Sequence, residues 1–71
     1  MADSADYREL VAAQGKLVVF IASLLQRADV ARMEDFASLL GAFAETVEET
    51  EPGEGALLQS WASAVRAASS H

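Results

Sequence analysis

The residues best suited to chemistry are three glutamates in the second half of the chain. Glu45, Glu48 and Glu49 follow one another at spacings of three and four, which place their carboxylates on one face of a helix. Carboxylates arranged in this way can bind a hard cation or transfer protons. The alternating acidic pattern of an EF-hand loop is absent, and so is the Glu-x-x-His sequence of a di-iron bundle. We therefore expect no metal site and no cofactor.

Other reactive side chains are scarce in this chain of 71 residues. It contains no cysteine and one histidine, His71, at the last position. Nucleophilic catalysis by a Ser–His pair would depend on that terminal residue. The segment 52–55, Pro-Gly-Glu-Gly, is acidic and would repel phosphate, and five dispersed Lys and Arg residues do not form a nucleic-acid surface. We expect a protein that is not an enzyme and does not bind nucleic acid.

Charge is distributed unevenly along the chain. The net charge is −6, and residues 34–54 contain seven acids and no base, whereas acids and bases cancel over residues 1–33. The glutamate face, Glu45, Glu48 and Glu49, has two interpretations. It is a solvated surface that keeps a small protein soluble, or it is an acidic surface that binds a basic patch on a partner protein.

The elements that position these residues are predicted to be three helices in a single domain, residues 1–71. Helix-forming residues dominate, and the only proline is Pro52. The predicted helices cover about 4–28, 30–50 and 54–68. The inward stripe predicted for the second helix is Met33, Phe36, Ala37, Leu40, Phe43, Ala44 and Val47. Asp29 is the expected N-cap of the second helix, so the first connection is very short and requires an antiparallel hairpin. The fold class is therefore all-α, a three-helix bundle.

The first helix contains an apolar run, Leu17 to Leu25, with a single polar side chain. Spacings of three and four predict an inward face for this helix, made of Tyr7, Leu10, Val11, Leu17, Val18, Ile21, Leu24, Leu25 and Ala28. Phe20 falls on the flank of this face and Val19 near the polar side. The helix is thus apolar around more of its circumference than one bundle contact requires.

This apolar surplus has two explanations. A second copy of the chain covers it, or the third helix covers Phe20 and leaves Val19 exposed. Small domains without disulfides often need association for stability, so we favour an interface between copies. The residues predicted to form it are Ala13, Leu17, Val19, Phe20 and Leu24. Gly15 and Gly41, inside helices, either permit a close helix contact or are simply tolerated.

The sequence also gives an expectation about localisation. The N-terminus carries Asp3 and Asp6 rather than the positive charge of a secretory signal, and the nine-residue run is shorter than the ~20 residues of a spanning helix. We predict a cytoplasmic protein with no membrane partner. The predicted function is a small non-catalytic interaction module, a homodimeric adaptor, accessory or regulatory protein. The alternative is an acidic inhibitor or chaperone that occupies a basic site on a partner protein.

Overall fold

The computed structural model describes residues 4–70, with side chains described from residue 6. It has three helices, which are α1 (Ser4–Arg27), α2 (Met33–Glu48) and α3 (Pro52–Ser69). No strand occurs within this part of the chain. The predicted all-α three-helix fold is confirmed, and α2 and α3 form the most extensive helix pair. His71 lies outside the described residues.

The connection between α1 and α2 differs from the prediction. Asp29 is not an N-cap, because it adopts a left-handed conformation with φ of 64° just after the end of α1. Its N–H donates to the Gln26 carbonyl at 3.0 Å, and the Val30 N–H donates to the Leu25 carbonyl at 2.8 Å. These two bonds form a Schellman motif. Since this motif and the reversal that follows occupy the chain as far as residue 32, α2 begins at Met33.

The start of α2 is capped by a side chain from α1. Arg32, at the N-cap, has extended backbone angles and makes no side-chain capping bond. Instead, the Met33 N–H donates to the Gln26 side-chain oxygen at 2.8 Å. This bond satisfies one of the amide groups that every helix leaves free at its N-terminus, and it joins the two helices of the hairpin.

The start of α3 also differs from the prediction. The helix begins at Pro52 rather than Glu54, because proline at the first helical position has the required φ and needs no N–H acceptor. Gly55 therefore lies within the helix, three residues after Pro52, and is buried. A Cβ added there would lie 2.8 Å from both the backbone nitrogen and the Cα of Glu48. Close contact between α2 and α3 therefore requires glycine at this position.

The core is made mostly of small side chains. Its fully or largely buried apolar residues are Ala22, Met33, Ala37, Ala44, Ala62 and Val65. Val65 is the largest side chain that is fully buried. A core of this size buries little apolar surface for a whole domain, and so its contribution to the free energy of folding is small.

The orientation of α1 is the main correction to the sequence analysis. Six of the nine residues predicted to face inward are exposed instead, namely Tyr7, Leu10, Leu17, Ile21, Leu24 and Ala28. The inward side carries Gly15, Val18 and Ala22. Gly15 accommodates the Trp61 indole, since a Cβ there would lie 2.9 Å from Trp61 Cδ1. The small residues thus face α3, and the larger ones face solvent.

A similar correction applies to α2. Phe43, predicted in the inward stripe, is 57% exposed, and Leu39 is 73% exposed. The rest of the predicted stripe, which includes Met33, Ala37 and Ala44, is buried or half-buried. One flank of α2 is therefore apolar and open to solvent.

Candidate interaction surface

The most prominent surface is the apolar outer face of α1. We define the outer face as Tyr7, Leu10, Leu17, Phe20, Ile21 and Leu24. Each of these side chains is between 42% and 60% exposed. Single exposed apolar residues are ordinary, but six on one side of a single helix are not. Contiguous exposed apolar surface of this kind marks interaction sites in soluble proteins.

The spacing of the outer face is that of a helix–helix interface. Leu10, Leu17 and Leu24 are seven residues apart, and Ile21 lies four residues after Leu17. This is the pattern in which apolar residues at two positions of each heptad form a seam with another helix. Gln14 occupies one seam position in the middle of the row, where a polar residue typically selects one alignment of the two helices.

Four of the five predicted interface residues share this side of α1. Leu17, Phe20 and Leu24 belong to the outer face, and Ala13, also exposed, lies between them on the helical wheel. Val19 does not share it, because it is half-buried and contacts the buried core cluster from the opposite side of the helix. The structure thus separates Val19 from the surface that the sequence analysis proposed for it.

The exposed flank of α2 adds two residues that the sequence analysis did not assign to a surface. The inward stripe predicted for α2 omits Leu39 and includes Phe43. The sequence does contain a signal for this exposed flank. Leu39, Phe43 and Phe36 extend the apolar residues of α2 beyond the buried positions, so the apolar part of the helix circumference is wider than one helix contact can cover.

The glutamate face lies at the open end of the helical hairpin, away from the turn that connects α1 and α2. Glu45, Glu48 and Glu49 are all exposed, at the C-terminal end of α2. Within residues 6–70 no three His, Cys, Asp or Glu side chains converge in a way that would hold a metal ion. The face is an exposed, negatively charged surface.

A shallow pocket lies between α1 and α3. It has a volume of about 270 Å³, and its walls include Gly15, Val19 and Trp61. Lys16, Ser60 and the Trp61 indole N–H supply its polar side-chain groups. A pocket of this size is smaller than typical small-molecule sites, and its few polar groups do not form an acid–base or nucleophile–base pair.

The apolar character of α1 also bears on membranes. The stretch Asp6–Arg27 is long and apolar enough, by length and composition alone, to cross a bilayer, and only 11% of its apolar 18-residue window is buried inside the protein. Core helices of soluble proteins and signal sequences also meet this criterion. Arg8, Glu9 and Lys16 lie within the stretch and would be costly in the hydrocarbon region.

Comparison of the chain with protein-family models, with curated proteins and with solved structures finds no significant match in any of the three.

Proposed function

We propose that the chain is a small non-catalytic interaction module that works as a homodimer, an adaptor or accessory protein whose copies associate through the outer face of α1. The observation that carries this proposal is the exposure of Leu10, Leu17 and Leu24 at heptad spacing on one side of a helix. Exposed side chains in that arrangement fit another helix, because each inserts between residues of the facing helix.

The energetics of the domain support association. Full burial of a leucine or phenylalanine side chain contributes about 1.5–3 kcal/mol. The side chains of the outer face are about half-exposed, so each retains roughly half of that amount for a contact with another molecule. Association would also raise the apparent stability of a domain whose core is small, because a partner that binds only the folded state shifts the folding equilibrium.

The proposal is tested with the substitution Phe20→Glu. Phe20 is 57% exposed, so a charge at this position should leave the fold intact while placing a carboxylate in the proposed interface. We expect the variant to be monomeric by light scattering and still helical by circular dichroism. Ser63→Glu, an exposed position on α3, adds the same charge away from the outer face and should leave a dimer.

Two results would overturn this assignment. If the Phe20→Glu variant keeps the mass of a dimer, the outer face is not the interface. If the unmodified protein is a monomer that floats with neutral phospholipid vesicles, the apolar face of α1 belongs to a membrane. The predicted cytoplasmic localisation would then be wrong as well.

A second candidate function rests on the glutamate face. Glu45, Glu48 and Glu49 are exposed on a helix end where the dipole disfavours negative charge, and residues 34–54 contain no base to offset them. In this reading the chain is an acidic inhibitor or chaperone that covers a basic site on another protein. Replacing the three residues with Gln should then weaken capture of that protein and remove its salt dependence, while unchanged capture would reject the assignment.

A further inference from the structure

The shallow pocket between α1 and α3 lies on the other side of α1 from the outer face. Gly15 lies in the pocket against the Trp61 indole, because a Cβ added at Gly15 would lie 2.9 Å from Trp61 Cδ1. Leu17, which belongs to the outer face, follows Gly15 by two residues, and this corresponds to a rotation of about 200° around the helix. A ligand in the pocket and a partner on the outer face would therefore occupy separate sides of α1.

The apolar walls of the pocket follow from the helix spacing. Val11, Gly15 and Val19 are four residues apart, so they form one row along α1 at the pocket. Ala64, three residues after Trp61, belongs to the wall that α3 contributes. The side chains of Val11, Val19 and Ala64 carry no polar atom, so this part of the pocket suits a hydrocarbon group.

Two of the polar groups in the pocket are hydrogen-bond donors that remain available. Neither the Lys16 ammonium nor the Trp61 indole N–H makes a hydrogen bond or an ion pair within residues 6–70. Ser60 differs, because its hydroxyl donates to the Leu57 carbonyl at 2.7 Å. A ligand that supplies acceptor atoms therefore suits Lys16 and Trp61.

The charge of the pocket is opposite to that of the whole protein. Its lining contains one cation, Lys16, and no acid, whereas the chain carries a net charge of −6. The acids nearest in sequence on the same helices are Glu9, seven residues before Lys16, and Glu54, seven residues before Trp61. Seven residues correspond to about 10 Å along a helix, which is the Debye length at 0.1 M salt, so their repulsion of an anion beside Lys16 is screened.

We propose that this pocket binds a short aliphatic carboxylate. The carboxylate accepts hydrogen bonds from Lys16 and Trp61, and charge-assisted bonds of this kind are stronger than bonds between neutral groups. The hydrocarbon chain lies along Val11, Val19 and Ala64. The volume of about 270 Å³ is just below the range of ordinary ligand sites, which begins at about 300 Å³, and so limits the ligand to one short chain.

The indole N–H signal of Trp61 tests this proposal directly. The chain contains one tryptophan, so heteronuclear NMR spectra of the labelled protein have a single indole signal. Hexanoate, added at constant ionic strength, should move this signal saturably, with a dissociation constant on the order of 1–10 mM for so small a ligand. Hexanol has the same chain without the charge and should bind at least threefold more weakly. A signal that does not move in about 20 mM hexanoate, or that responds equally to hexanol, would overturn the proposal.

Substitution of the cation tests the recognition of charge. Lys16→Gln should weaken hexanoate binding at least threefold, because it removes the only charge in the lining of the pocket. Arg27→Gln is the matched control, since it removes the same charge from an exposed position on the same helix, outside the pocket, and should change the dissociation constant less than twofold. Equal affinities of the Lys16→Gln and Arg27→Gln variants would show that Lys16 does not bind the ligand and would overturn the proposal.

A second pair of variants distinguishes the pocket from the outer face. Ala64→Phe fills the pocket from an exposed position and should abolish the saturable shift, whereas Leu17→Gln changes the outer face and should retain it. Circular dichroism verifies that both variants remain helical. Loss of the shift in Leu17→Gln together with its retention in Ala64→Phe would place the ligand on the outer face and refute the pocket as its site.

Discussion

Replacement of Gly55 by alanine is the sharpest test of the contact between α2 and α3. Inside a helix, glycine is about 1 kcal/mol less favourable than alanine, so the substitution is expected from helix propensity alone to stabilise the protein. The structure predicts the opposite. The added Cβ would lie 2.8 Å from the Glu48 nitrogen and Cα, about 1 Å closer than an ordinary van der Waals contact.

The size of the destabilisation depends on which atoms the added Cβ would contact. Because they belong to the backbone of α2, no side-chain rotation relieves the overlap, and the two helices must separate. Overpacking of this kind costs about 1–3 kcal/mol. The cost exceeds the gain of about 1 kcal/mol in helix propensity over most of that range, so we expect Gly55→Ala to lower the free energy of unfolding by up to about 2 kcal/mol. For a domain of this size that corresponds to a melting temperature lower by up to roughly 16 °C.

Gly41→Ala is the matched control for this prediction. A Cβ at Gly41 would meet only the Gln59 side-chain oxygen, at 3.8 Å, which is an ordinary contact. We expect this variant to be more stable by up to about 1 kcal/mol. Both variants are compared with the unmodified protein by thermal unfolding followed at 222 nm, at one fixed protein concentration. An increase in the melting temperature of Gly55→Ala would refute the close contact between α2 and α3.

Three further predictions concern the hairpin and the charged end. Gln26→Ala removes the acceptor of the Met33 N–H and should lower the free energy of unfolding, measured by chemical denaturation, by about 1 kcal/mol. An unchanged free energy of unfolding would show that water replaces this hydrogen bond equally well. Asp29→Gly relieves a left-handed conformation at a non-glycine residue and should raise stability by about 0.5–1 kcal/mol, whereas a loss would contradict the Schellman motif. Replacing the glutamate face with Gln should raise the free energy of unfolding at low salt by a few tenths of a kcal/mol per residue, and the gain should shrink in 1 M salt. A gain that persists in high salt would show that it does not arise from charge repulsion.

The fold class could be predicted because it depends on local features. Helix propensity extends over nearly the whole chain, and Pro52 allows only one interpretation of the second break. The helix boundaries were less predictable. Asp29 suits both an N-cap and a left-handed C-terminal position, and only the closure of the hairpin selects the second role.

The direction in which α1 faces could not be predicted from the pattern alone. The helix has a face of large apolar residues around Leu17 and a face of small ones around Gly15, and hydrophobicity assigns the larger face to the core. In the structure the face of small residues turns toward α3 instead, because the Trp61 indole needs the space that Gly15 leaves open. The predicted surface residues Leu17, Phe20 and Leu24 are exposed together, while Val19 lies on the opposite side, where it contacts the core.

The mass of the unmodified protein in solution tests the central claim most directly. We would measure it by light scattering on a sizing column over a dilution series from high to low micromolar concentration. The proposed interface predicts a mass near twice the 7.5 kDa of one chain, maintained on dilution until the dissociation constant is reached. A mass of one chain at every concentration would contradict self-association through the outer face of α1.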